Sequence, residues 1–304
     1  MARVAAIDCG TNSIRLLISD EGRDVARLNE IVRLGESVDE TGRLSEKALT
    51  RTRQALERYV KVMRFEKVEK VRMVATSATR DASNRDDFFT MTEELLGVRA
   101  EVISGEEEAA LSFTGAVADL DPERGPFCVI DLGGGSTEFI VGTADGEIAG
   151  AHSAQMGCVR LTERILRTDP PTATEVEIAA EYVAARLDEV EKVVPIGRAR
   201  TFVGVAGTFT TVSALAQGLE SYDPEEIHGS ELRFDALRLV TRQLISESSE
   251  TRALNPVMHP GRADVIGGGS VVIEGIIDMI ERRSDAETFV ISEKDILDGI
   301  VAGL

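Results

Sequence analysis

The chain has 304 residues, 43% of them hydrophobic and 29% charged, and its 34 basic against 53 acidic side chains give a formal net charge of −19. This length exceeds what one hydrophobic core usually serves and points to two domains, while the acidic balance argues against general nucleic-acid binding. No stretch approaches the roughly 18 uncharged apolar residues of a membrane helix, so no membrane partner is expected, and a strand-like run within three residues of Met1 leaves no room for a signal sequence and implies a cytoplasmic protein.

In chain order, strand-like runs at 3–8, 13–19 and 25–34 come first, then a helical stretch near 45–64, a strand at 71–76, a helix near 85–96, a strand at 99–103 and a helix near 105–118. Between Arg51 and Arg72 eight Lys or Arg stand against three Glu, with Leu49, Leu56, Tyr59, Val60 and Met63 at helical spacing. The basic residues therefore fall largely on the other face, as a solvated surface or an anion groove. "DLDPERGP" (119–126) then breaks the pattern with two prolines and a glycine. A second series opens with strands at 127–132, 137–142 and 147–153, followed by helices near 159–167 and 174–193 and a strand at 201–205. Helices near 208–217, 235–246 and 263–281, a strand at 288–291 and a helix at 293–303 complete it. Both series begin with three strands and continue by alternation, so the expected fold is α/β: two domains, 1–124 and 125–304, with mixed sheets covered by helices.

Two segments make the case for duplication. "AIDCGTNSIRLLI" (6–18) aligns with "VIDLGGGSTEFIV" (129–141), matching Asp8 with Asp131, Gly10 with Gly133 and Ser13 with Ser136, and replacing Arg15 by Glu138. A glycine-rich turn lets backbone N–H groups point at an anion with no Cβ in the way, and a neighbouring carboxylate can hold a divalent metal that neutralises it. One D-x-G-x-x-S alone reads as a tight hairpin turn. Two copies, each opening a domain, read as paired phosphate clamps, which could face each other across a cleft of the kind where α/β proteins bind ligands.

"ISGEEEA" (103–109) offers three consecutive glutamates. Ser104 and Glu107 have capping-box spacing, and Glu106 suits the first turn of a helix, so each has a structural task. "GVAGTFTTVSAL" (204–215) reads as a strand running into a helix at Gly207 and Thr208, either an ordinary turn or a place where helix-end donors meet an anion. The three cysteines, Cys9, Cys128 and Cys158, lack C-x-x-C spacing and read as reduced thiols, and His228 reads as a loop-buttressing residue.

Together these motifs resemble the actin, Hsp70 and sugar-kinase superfamily and, more narrowly, the exopolyphosphatase and guanosine pentaphosphate phosphohydrolase (Ppx/GppA) family. Further matches are "VATSATRDASN" (74–84), "MGCVRLTE" (156–163), "YDPEEIHG" (222–229) and "HPGRADVIGGGS" (259–270), in an order that covers nearly the whole chain. The resemblance is to the short form, without additional C-terminal helical domains. It implies two ribonuclease-H-like (actin-like ATPase) domains with the active site in the interdomain cleft. It further implies Glu108 as the base that activates water and Arg80 as a contact to the terminal phosphate.

On this reading Gly10, Thr11, Asn12 and Ser13 on one side, and Gly133, Gly134, Gly135 and Ser136 on the other, cradle phosphates, with Gly207 and Thr208 as a further contact. Asp131, helped by Asp8 and Glu138, would hold Mg²⁺, since hard oxygen ligands favour it over zinc. The implied activity is removal of terminal phosphate from inorganic polyphosphate. The alternative is hydrolysis of guanosine pentaphosphate (pppGpp), with a nucleoside docked near 264–270. Other classes are a sugar-kinase-like phosphotransferase and a non-catalytic nucleotide or phosphate sensor. Apolar helical faces near 208–217 and 266–280 could form a homodimer or belong to the core. The role of Arg15 is left open.

Overall fold

Three hairpin-linked strands open each half of the chain in the computed structural model, which describes residues 3–304. In the first half β1 (Val4–Cys9), β2 (Ser13–Asp20) and β3 (Arg23–Ile31) pair antiparallel. The chain continues through α1 (Val38–Thr41), α2 (Glu46–Phe65), β4 (Lys70–Ala75), α3 (Ser77–Asp81), α4 (Arg85–Leu96), β5 (Glu101–Val102) and α5 (Gly105–Val117). Strands β4 and β5 add in parallel, giving the order β3-β2-β1-β4-β5. Because β1 is central, its run Ala5–Cys9 is buried without alternation.

Helix α2 starts where the Ser45 side chain accepts from Ala48 N–H, and it buries Ala48, Ala55, Leu56, Tyr59 and Met63. The Tyr59 hydroxyl donates to Ile14 O at 2.8 Å and ties the helix to β2. Its basic face is an ion-paired surface: Arg51 meets Glu36, Arg53 meets Glu94, Arg58 meets Glu30, and beyond the helix Arg72 meets Glu101 and Glu107. Such pairs add little stability, but they cancel much of the local positive charge and favour the solvated-face reading.

The second half repeats the plan with β6 (Phe127–Leu132), β7 (Thr137–Gly142) and β8 (Ile148–Ala154), followed by α6 (Cys158–Arg164), α7 (Ala173–Val193), β9 (Thr201–Val205) and α8 (Ala206–Ala216). Then come α9 (Pro224–Ile227), β10 (Glu231–Arg233), α10 (Phe234–Ser246), α11 (Ser249–Ala253), α12 (Ile266–Arg283) and β11 (Thr288–Ile291). The sheet order is β10-β11-β9-β6-β7-β8, the same arrangement with one strand added at the far edge. Its core includes Ile130, Phe139, Phe202, Phe209 and Phe289 from the sheet and α8, together with Ile273, Ile276 and Ile277 of α12. Strand β10, three residues long, carries too little pattern to be read from sequence.

The last helix, α13 (Ile296–Ala302), departs from the expected partition at 124/125. The contacts divide the chain into one unit of residues up to Gly115 plus Ile296–Leu304, and a second of Ala116–Asp295. The physical reason is apolar: Ile296, Leu297 and Ile300 are buried with Ala6, Leu17, Val74 and Ile103. Burying each such side chain stabilises by roughly 1.5–3 kcal/mol. Arg27 adds a two-bond ion pair to Asp298, at 2.6 and 3.2 Å. Among the described residues no helix is long and apolar enough to cross a membrane.

Candidate active site

Residues 10–13 join β1 to β2, and residues 133–136 join β6 to β7. Both turns close by the same bond, Gly10 N–H to Ser13 O and Gly133 N–H to Ser136 O, each at 3.0 Å. Those two amides are used by the turn itself, so any cradle is narrower than the sequence suggested. None of Gly10, Gly133, Gly134 and Gly135 is a left-handed glycine. What they contribute is a missing Cβ.

The carbonyls of both turns are held from behind. Thr11 O accepts from Gly35 N–H at 2.8 Å, and Asn12 O from the N–H groups of Val32 and Arg33 at 3.0 and 2.8 Å. In the second unit Gly133 O accepts from Cys158 N–H at 3.1 Å, and Gly134 O from Val159 and Arg160 N–H at 2.9 and 3.1 Å. Gly135 O accepts from Arg160 Nε at 2.7 Å. In a planar trans peptide C=O and N–H point opposite ways. Anchoring these carbonyls therefore turns the N–H groups of Asn12 and Ser13, and those of Gly134, Gly135 and Ser136, to the other side.

The supporting segments approach so closely that each carries a glycine. A Cβ on Gly35 would lie 2.3 Å from Thr11 Cγ2, and one on Gly157 would lie 2.2 Å from the carbonyl carbon and oxygen of Gly134. Helix α6 has Gly157 at its N-cap and no side-chain cap, so its otherwise unsatisfied first amides go to the turn instead. The roles of Gly35, Gly157 and Arg160 were not drawn from the sequence, although Gly157 and Arg160 sit inside "MGCVRLTE".

The Arg-for-Glu exchange falls at equivalent places in the two ladders. Asp8 pairs in register with Arg15, and Asp131 with Glu138. Arg15 binds the Asp8 carboxylate through Nη2 at 2.6 Å and Nε at 3.1 Å. This gives Arg15 a task and offsets the charge of Asp8, which makes Asp8 a weaker attractor for a metal than a carboxylate beside another carboxylate. Glu138 is fully buried, and its Oε1 accepts from Ser153 Oγ at 2.7 Å, while Asp131 opposite it is 7% exposed. Two register-paired carboxylates repel unless a cation lies near, and their hard oxygens fit a divalent ion such as Mg²⁺. Among the described residues no group of three or more His, Cys, Asp or Glu side chains is gathered for a metal. An ion at Asp131 and Glu138 would keep several waters, as Mg²⁺ commonly does.

Glu108 lies in the first turn of α5, 8% exposed. Ser104 Oγ accepts from Glu107 N–H at 3.2 Å, half of the expected capping box. The Glu107 carboxylate does not return to Ser104 but pairs with Arg72, which offers a charge-assisted bond at 2.9 Å. Arg80 ends the short helix α3 and donates through Nη1 to Ile103 O at 2.9 Å and to Glu108 Oε2 at 3.1 Å. Arg80 Nη2 and the Thr79 hydroxyl are buried without a hydrogen-bond partner. Asn84 bonds both ways to the backbone of Leu44, at 2.8 and 3.0 Å, which is a structural role.

At the turn into α8, Ala206 is left-handed at φ 70°, a conformation that costs a non-glycine residue of order 1–3 kcal/mol. The Arg262 guanidinium covers Gly207, 2.2 Å from where its Cβ would be, and donates to Thr211 Oγ1 at 2.6 Å. The Thr208 side chain, Oγ1 included, packs against Gly269, so at Thr208 the turn offers a ligand backbone rather than hydroxyl. Gly267, Gly268 and Gly269 are covered by Arg252, by Cys158 O with Thr162, and by Thr208 respectively, which makes them helix contacts. A cavity of about 170 Å³ beside them is lined by Arg252, Asp169, Asp264, Ser249 and Thr162 among others. All three cysteines are buried, and burial raises their thiol pKa values, to about 11 for Cys158, so none is a ready nucleophile. His228 accepts from Glu293 N–H at Nδ1 and faces Asp119 through Nε2, a buttress.

A model of the Ppx/GppA phosphatase family matches residues 18–300. The chain belongs to the Ppx/GppA phosphatase family. It is a phosphoanhydride hydrolase with two mixed, helix-flanked sheets. It is 50% identical to Exopolyphosphatase 2 of Mycobacterium tuberculosis over 100% of this chain and 99% of that one. A crystal structure of an exopolyphosphatase-like protein superposes with a TM-score of 0.95 at 41% identity, covering 99% and 98% of the two chains. The guanosine-5'-triphosphate,3'-diphosphate pyrophosphatase of Vibrio atlanticus is 33% identical over 91% of this chain but only 55% of its own length.

Proposed function

We propose that this Ppx/GppA phosphatase is a Mg²⁺-dependent exopolyphosphatase that releases terminal phosphate from inorganic polyphosphate with water activated by Glu108. The observation that carries the reading is the pair Glu108 and Arg80: a nearly buried carboxylate held at 3.1 Å by Nη1 of a guanidinium whose Nη2 is buried without an acceptor. An unsatisfied buried donor costs about 1–3 kcal/mol, and a phosphate oxygen is the acceptor that would relieve it.

Phosphoanhydride hydrolysis needs mainly in-line geometry and neutralised oxygens. The N–H groups turned outward by the two glycine-rich loops would bind the phosphate oxygens, and the hydroxyls of Thr11, Ser13 and Ser136 would add to them. Arg80 would take an oxygen of the terminal phosphate while keeping Glu108 oriented. Glu108 would accept the proton of the attacking water at a carboxylate oxygen. Bound Mg²⁺, held by Asp131 and Glu138, would supply charge neutralisation at the phosphates.

The test is phosphate release from long polyphosphate, short polyphosphate, pppGpp and ATP, with and without Mg²⁺. Release from both polyphosphates supports the reading, and release from the nucleotide alone overturns it. The second reading, pppGpp hydrolysis, has in its favour the cavity beside 264–268. Against it, the glycines that would receive a base are covered by side chains and backbone of the same unit.

A further inference from the structure

We propose that Arg160 is a positioning residue that sets the plane of the Gly135–Ser136 peptide and so presents Ser136 N–H to substrate phosphate, an inference that rests on the second loop being a phosphate clamp. Three successive carbonyls of that loop are anchored, but not alike. Those of Gly133 and Gly134 are held by backbone amides at the start of α6, whereas that of Gly135 is held by the Arg160 side chain, through Nε at 2.7 Å. Arg160 N–H also binds Gly134 O at 3.1 Å, so one residue fixes two adjacent peptide planes.

The first loop has a different construction. The Asn12 carbonyl, its counterpart of Gly135, is held by the backbone amides of Val32 and Arg33. In the second loop a side chain, Arg160, thus holds the peptide plane from behind. Ser136 is buried to 2% exposure, so small errors in that plane are not absorbed by solvent.

The donor is Nε, three carbons along the side chain from the α-carbon, and this dictates the test. Glutamine places an N–H donor at the same position without charge. Lysine keeps the charge but carries its nitrogen one carbon further, and methionine keeps neither. Arg160→Gln is expected to retain kcat on polyphosphate within about threefold, with Arg160→Lys and Arg160→Met both down about tenfold and KM changed less than kcat. The order Lys above Gln would overturn the proposal, because it would mean that Arg160 acts by charge on the substrate; equal activity of all variants would overturn it as well.

A second readout does not depend on the substrate. Labelling glycine carbonyls with ¹³C and serine amides with ¹⁵N selects three pairs, 135–136, 229–230 and 269–270. The 135–136 signal should move in Arg160→Lys and Arg160→Met and stay near wild type in Arg160→Gln, while the other two stay still. An unmoved 135–136 signal in Arg160→Met refutes the anchor. Failure of the wild-type protein to hydrolyse polyphosphate would sink the functional reading, and this spectrum would still decide the anchor.

Discussion

The two glycine-rich turns share backbone geometry and differ in electrostatics. Each closes by a 3.0 Å bond and has carbonyls anchored from behind, yet the first sits beside a neutral Asp8–Arg15 pair and the second beside two carboxylates, Asp131 and Glu138. A duplicated fold can therefore keep the turn geometry in both copies while changing the charges beside it. In the first copy the positive charge is covalently part of the chain. In the second, the proposed reading adds Mg²⁺ beside Asp131 and Glu138.

The largest effect is expected at the base, which belongs to the first unit alone. Glu108→Gln should lower phosphate release at least about 100-fold, since a general base contributes 10²–10⁴-fold, with little loss of polyphosphate affinity by titration calorimetry. Next comes the division of metal duty. Glu138→Gln should raise the Mg²⁺ concentration for half-maximal rate about tenfold or more, whereas Asp8→Asn should leave it nearly unchanged, read from Mg²⁺ titrations of rate. Equal shifts in the two variants would erase the distinction between the loops.

The supporting glycines offer a finer comparison. A Cβ at Gly157 meets backbone at 2.2 Å, while one at Gly35 meets first the rotatable end of Thr11 at 2.3 Å and then Ala78 Cβ at 3.0 Å. Gly157→Ala should lose about 3 kcal/mol in urea unfolding and Gly35→Ala about 1–2, in line with the cost of overpacking.

Some of this was legible in the sequence. Short apolar runs gave the opening strands, and the Arg15-to-Glu138 exchange could be aligned before its meaning was known. What resisted reading depended on contacts between distant segments. Gly35 looks like any loop glycine until the side chain of Thr11 is found against it, and α13 carries the same apolar spacing whichever core it joins. The five-residue helix that presents Arg80 is too short for periodicity to mark, and Glu107 left its cap because Arg72 arrives from another strand.

The smallest expected effect is confined to the second unit, where Glu175 and Thr172 form a complete capping box at the start of α7, in contrast to the half box at Ser104. Bonds from Thr168 and from the Thr172 backbone hold the Glu175 carboxyl down at about 2. A depressed folded-state pKa stabilises above the unfolded value near 4.5 and is lost as pH falls through about 2. The Tm difference between wild type and Glu175→Gln should therefore shrink steadily from pH 5 to pH 2. A constant difference would mean that the charge contributes nothing.

The placement of α13 bears on how the chain is made. Residues 296–302 complete a core whose other members, Ala6, Leu17, Val74 and Ile103, are synthesised near the start. On the ribosome that patch of the first unit stays uncovered while all of residues 116–295 emerge. Ala116–Asp295 has all its residues before α13 is made, so the first unit, although begun first, is the last to be completed.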